Sequence, residues 1–187
     1  MLAIWIPVGI IVIFIIMFIA IYNGLVRSRN QVKNAWAQID VQLKRRHDLI
    51  PNLVETVKGY MKHERETLEA VTNARVLAQQ VASAGPGERG KVEGELSSAL
   101  NRLLAVAERY PDLKASQNFL ALQEELASTE NKISFSRQFY NDAVLTYNNQ
   151  TQMFPSNMVA AMTGFKESEF FEIPVAAERE TPKVSFT

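Results

Sequence analysis

The chain has no cysteine and only two histidines, His47 and His63, in 187 residues. Without cysteine there is no disulfide framework, no thiolate zinc site and no cysteine nucleophile. A charge excess is missing too. The 20 basic and 20 acidic side chains balance, and the pI is near 6.8. That excludes a globally basic nucleic-acid binder and an acidic solvating tail, so no nucleic acid is expected among the partners. Charged residues make up 21% of the chain, yet none lies in residues 1–26. Length alone predicts one domain of ordinary size.

What fills the charge-free start is apolar. Residues 1–22 include 14 that are Leu, Ile, Val or Phe. About 20 such residues cross a hydrocarbon layer of about 30 Å as a helix. At the bilayer centre these side chains favour insertion by about −4 to −8 kcal/mol in total. Their β-branching does not make a strand here, because in lipid a lone segment pairs its backbone groups only as a helix. Trp5 and Tyr22 stand near the two ends, where amphipathic rings prefer the interface. A cleaved signal peptide needs a basic start, a shorter apolar core and a small-x-small site. This start has no Lys or Arg, and around Ala20 it reads Ile-Ala-Ile. Residues 1–22 are therefore expected to be a retained transmembrane anchor. Arg27, Arg29 and Lys33 follow the span as membrane-flanking bases. The positive-inside rule then predicts a single-pass protein of the bacterial inner membrane, N-terminus out and body cytoplasmic.

The body reads as long helices. From Tyr22 to about Ala82 the apolar positions Val32, Trp36, Ile39, Leu43, Ile50, Leu53, Val57, Tyr60, Leu68 and Val71 recur mostly in steps of three, four or seven. Polar residues at 46 or 47 and at 64 break the seam. Pro51 cannot donate to the carbonyl at 47, which predicts a kink or short break there. Ser83 to Gly90 is the clearest turn, with three glycines and a proline. A second stripe runs Val92, Leu96, Leu100, Leu103, Leu104, Ala107 and stops at Tyr110-Pro111. A third runs from Ala115 through Phe119, Leu126, Ile133 and Tyr140 to about Thr151. The fold class expected is all-α: the N-terminal transmembrane helix, then an antiparallel bundle of three to four long helices over 23–152 with coiled-coil-like packing. The first helix has more apolar stripe than the second can cover, which predicts self-association. The tail, 153–187, holds a short helix ended by Gly164 and a phenylalanine-rich segment expected to dock. Ala176 to Thr187 is expected to be mobile.

Several stretches resemble the LemA family of bacterial membrane-anchored proteins. They are Tyr22-Asn-Gly-Leu-Val26 with Arg29, Val32, Ala35 and Trp36; Ile39 to Val54, continuing to Val57-Lys-Gly-Tyr60 and His63-Glu64; and Arg137, Tyr140-Asn141, Val144, Tyr147-Asn148, Phe154-Pro155-Ser156-Asn157 and Phe170-Phe171-Glu172. The likeness runs in order over about residues 20 to 172. It leaves out the turn at 83–90 and the tail beyond Ile173. It implies a transmembrane helix, an α-helical body and no established enzymatic activity.

The residues themselves offer little chemistry. His63-Glu64 begins like a helical zinc-protease motif, but position 67 is Thr where the second histidine is needed. His47 and Asp48 beside Pro51 read as packing or capping. Gly85-Pro-Gly87 is a turn and not a phosphate cradle, and no serine sits in a nucleophile elbow. No catalytic residue, metal or cofactor is expected. Lys44, Arg45 and Arg46 form a basic triple that is either an interaction surface or a solvated face paired with Asp40 and Asp48. Asn141 and Asn148, seven apart, share a helix face and suggest a polar ladder that sets register or joins subunits. The aromatics Trp36, Tyr60, Tyr140 and Tyr147 fall on apolar stripes and read as core. The resulting expectation is a non-catalytic scaffold that binds the lipid bilayer and forms homo-oligomers. The alternative is an adaptor subunit for another membrane protein, such as a protease or a sensor.

Overall fold

A computed structural model describes residues 2–172, with side chains from Trp5 onward. The expected mobile end, Ala176 to Thr187, lies outside the described residues. The elements are α1 (Leu2–Lys58), α2 (Arg65–Gln80), α3 (Pro86–Ala107), α4 (Pro111–Lys114), α5 (Gln117–Gln152) and α6 (Ser156–Thr163), with no strand among the described residues. The fold is all-α. The described residues divide into two compact units where the chain's length predicts one domain: residues 2–40 with Phe135–Glu169, and Val41–Ser134 with residues 170–172. Both α1 and α5 contribute to each.

In the first unit, α1 and α5 run antiparallel. Ser28 Oγ donates to Gln150 Oε1 at 2.7 Å, and the rings of Trp36 and Tyr140 lie 5.3 Å apart, so one partner number rises as the other falls. Leu25, Val32, Ala35 and Ile39 supply one side of the core, and Tyr140, Ala143, Val144 and Tyr147 the other. The chain then turns at Phe154-Pro155, whose peptide is cis, into α6. Gly164 closes α6 at φ 75°, a left-handed conformation that a side chain would strain. Beyond it, residues 165–169 fold back along α5. Tyr147 Oη donates to the Lys166 carbonyl and Tyr140 Oη to that of Glu169, both at 2.8 Å. Asn148 gives its amide hydrogen to the Ser168 carbonyl and accepts from the Ser168 N–H, both at 2.9 Å. Burial, with the nearby Glu169 charge, pushes the Tyr140 phenol up to about 12.

In the second unit the long first helix of the sequence reading becomes a hairpin. α1 runs on through Pro51 and ends at Lys58, and α2 starts at Arg65 and doubles back. The reason lies in one carbonyl. Pro51 has no N–H for the oxygen of His47. Arg75 Nε of α2 donates to that oxygen at 2.8 Å, and the helix runs on without a break. The break falls instead at Gly59, a poor helix former, and buried Met61 closes the turn through its N–H to the Val57 carbonyl. This hairpin corrects the reasoning behind self-association. α2 covers the stripe of α1 that seemed surplus, through a shared core of Ile50, Leu53, Val57, Met61, Val71 and Ala78. Arg75→Ala should expose an unpaired carbonyl at the proline and cost about 1–3 kcal/mol, read from chemical denaturation of the full chain in detergent.

α3 begins inside the expected 83–90 turn, because extended Gly85 precedes Pro86 at the first helical position, where a missing N–H costs nothing. Leu96, Leu100, Leu103 and Ala107 face the core with Leu113, Phe119 and Leu126. Phe171 is fully buried in this unit. The backbone of Glu172 passes so close to Gly90 of α3 that a Cβ there would collide with its carbonyl oxygen.

Candidate functional site

From Trp5 to Ala20 every side chain of α1 is exposed, none buried against other described residues. Trp5, Ile6, Ile10, Ile11, Phe14 and Ile16 are each at least half accessible. Burial starts abruptly at Leu25. α1 is the one helix among the described residues long and apolar enough to cross a membrane. Arg27, Arg29 and Lys33 follow the span and are all exposed. The Arg29 guanidinium stacks 4.7 Å over the ring of Phe165.

The basic triple divides. Lys44 and Arg45 are exposed, and Arg45 pairs with Glu125 of α5. Arg46 is only 1% exposed, which corrects its assignment to a surface. It pairs with Glu93 of α3, itself 0% exposed, and donates to Ser97 Oγ at 2.8 Å and Glu130 Oε2 at 2.7 Å. His47 Nε2 stands 3.2 Å from Glu93 Oε2. The observed partners of Arg45 and Arg46 therefore sit on other helices, not at positions one turn away on α1. Burial pushes the Glu93 carboxyl up, but His47 and Arg46 outweigh it and hold the group below the usual carboxylate range.

The signal for this cluster was present. Position 46 lies on the stripe Ile39, Leu43, Ile50, Leu53, Val57, and Glu93 lies on the stripe Leu96, Leu100, Leu103, Ala107. Two opposite charges, each on an apolar seam, are candidates to neutralise one another inside. Nothing in the spacing shows that the two seams face each other. Asn148 is likewise turned inward, where it holds residue 168, which corrects its placement on a subunit-joining face. Asn141 is half-buried. Tyr60 is exposed, and Met61 takes the core position beside it. His63 is exposed in the connection before α2, so the zinc-protease fragment is not helical.

An open cleft of about 710 Å³ lies between the end of α1 and α2. Its floor includes Ile50, Pro51, Val54 and Leu68, and Lys58, Lys62 and Arg65 stand at its edge. None of Arg46, His47 or Glu93 lines it. Among the described residues, no group of three or more His, Asp or Glu side chains is gathered to hold a metal ion.

Residues 35–186 match the LemA family profile. The chain belongs to the LemA family. The match runs through the 83–90 turn and into the tail beyond Ile173, segments the resemblance in sequence left unassigned. It starts after the span and after Arg27, Arg29 and Lys33, so those parts of this LemA chain stand on their own physics. Among its relatives, magnetosome protein MamQ 2 of Paramagnetospirillum magneticum is 27% identical over 87% of this chain and 68% of its own length. Magnetosome protein MamQ of Magnetospirillum gryphiswaldense is 24% identical over 93% and 74%. Protein LemA of Metamycoplasma hominis is 29% identical over 79% and 67%. None of these names denotes a reaction.

Proposed function

We propose that this LemA-family chain is a membrane-anchored helical scaffold that works by homo-oligomeric assembly and by binding protein or membrane, without catalysis. The observation that carries the reading is the outward apolar face of α1 from Trp5 to Ala20, which has no covering protein in the described residues and the length of a bilayer span. The charged side chains of the second unit support a structural role, because Arg46, His47 and Glu93 are buried and do not line the cleft. Self-association finds its support on α5 of the first unit. Phe135 and Phe139 lie one turn apart and both are exposed, Phe135 at 72%. Paired aromatics of this size are a frequent anchor of protein contacts.

Light scattering of the full chain in detergent should give a mass above one chain, and Phe135→Ala with Phe139→Ala should lower it. A strict monomer would sink the assembly reading. In the proposed orientation the body is in the cytoplasm of a bacterial cell, below the inner membrane. The absence of cysteine makes this testable. A thiol placed by Lys44→Cys should resist a membrane-impermeant maleimide in intact cells and react after lysis; labelling in intact cells would reverse the topology. The cleft between α1 and α2 favours the adaptor reading, in which a helix of another membrane protein lies on its apolar floor. A second protein that co-purifies in fixed ratio would support that role.

A further inference from the structure

The two longest charge-free runs of the chain are residues 1–26 and 143–165. The first is the span. The second is the end of α5, the turn at Phe154-Pro155 and all of α6, and it folds back onto α1 at the place where the span ends. Gln150 meets Ser28, and the ring of Phe165 packs edge-on against Tyr22 at 5.8 Å between centroids. Ser28 and Tyr22 are six residues apart, about 9 Å along the helix. The corner between α5 and α6 is thus level with the last turns of the span.

Its outward side is apolar. Met153, Phe154, Met158 and Met162 are all exposed, Phe154 at 79% and Met162 at 76%. Val159 and Ala160 of α6 face inward, so Met158 and Met162, four residues apart, form the outer stripe of that helix. The exposed face of α6 also carries Ala161 and Thr163 but no charged side chain, and Met158 and Met162 are its large residues. Bases stand at the margins of both uncharged runs: Arg27 and Arg29 after the first, Lys166 after the second, all exposed. Among these, Arg29 lies over Phe165. The acids nearest the corner, Glu167 and Glu169, follow Lys166, and Glu167 accepts from Gln152 at 2.9 Å.

We propose that the α5–α6 corner is a second membrane contact, with Met153, Phe154, Met158 and Met162 seated in the headgroup–acyl boundary of the leaflet through which α1 leaves. The occupant is lipid because the patch stands beside the end of the lipid-facing span on a stretch of chain, residues 143–165, that carries no charge, with the Arg29 guanidinium over Phe165 at its margin. Apolar faces of this kind settle about 5–10 Å into the boundary. Two contacts instead of one fix the rotation of α1 about its axis. They present the first unit at one orientation to the bilayer. This inference rests on the membrane-anchor reading above and deepens it.

The test uses the full chain, which has no native thiol to interfere. Single variants Phe154→Cys, Met158→Cys, Val12→Cys and Gln138→Cys are spin-labelled and reconstituted in vesicles of phosphatidylcholine and phosphatidylglycerol. Collisions with oxygen and with a water-soluble nickel chelate are compared. Val12 reports the span, and exposed Gln138 of α5 reports water. Labels at 154 and 158 should show an oxygen-to-chelate ratio several times that at 138, as at 12. Ratios at 154 and 158 equal to that at 138, with 12 still in lipid, overturn the second contact and leave the anchor standing. A chelate-accessible label at 12 overturns the anchor and the contact with it. Low access to both reagents at 154 and 158 means that protein covers the patch, which also overturns lipid as the occupant.

Discussion

Arg46→Met should destabilise the protein by about 3–5 kcal/mol, although methionine fits a helical core well. The loss comes from what is left behind. Glu93 is fully buried and its carboxylate is held by Arg46 and His47. Taking away one partner of such a pair strands a charge in a medium that cannot solvate it. Replacing both partners by apolar residues of similar size, Arg46→Met with Glu93→Leu, should recover most of the loss, because the buried charge leaves with its partner. Urea unfolding of the full chain in detergent, followed by helical circular dichroism, measures both. The cluster also sets a pH dependence. The folded-state carboxyl of Glu93 lies below its usual range, so its ionisation stabilises the fold at neutral pH. That contribution is present above the ordinary carboxylate range and is lost as pH falls through the folded value. The double variant should therefore lose stability less steeply in acid than the parent. Equal slopes would show that Glu93 is not the group responsible.

Gly90→Ala gives the second large effect, with a sign opposite to helix propensity. In an open helix the change would stabilise by about 1 kcal/mol. Here the new methyl would collide with the carbonyl of Glu172, next to buried Phe171. The segment has to lift, and Phe171 lifts with it. The expected cost approaches that of Phe171→Ala, about 3–5 kcal/mol for a fully buried phenylalanine. Because both changes remove one docking event, combining them should cost little more than either alone. Full additivity in denaturation midpoints would mean that Gly90 and Phe171 act independently.

Periodicity carried much of this fold, and its failures have physical causes. The stripes of α1, α3 and α5 were legible because they bury one face at helical spacing. The hairpin between α1 and α2 was not. Steps of three and four continue across Gly59, and a pattern of intervals does not register that the chain has reversed. The cue in the sequence is Gly59, a poor helix former; the phase slip that buries Met61 and leaves Tyr60 outside shows only in the structure. Pro51 leaves the His47 carbonyl without its donor, as its ring dictates, but the consequence depends on Arg75, 28 residues beyond His47 in sequence. The basic triple looked alike in sequence, and only Arg46 stands on the seam. Asn148 was legible as a polar residue at a repeated spacing; its partner is a backbone in the tail, which no spacing within α5 could show.

The apolar side chains of α1 from Trp5 to Ala20 are covered by nothing else among the described residues, and the proposed anchor sets lipid against them. Alkaline carbonate treatment of membranes containing the full chain is the direct measurement. The protein should stay with the membrane pellet, as an embedded helix does. Release into the supernatant would contradict the account, since a peripheral protein could not leave that apolar face of α1 bare.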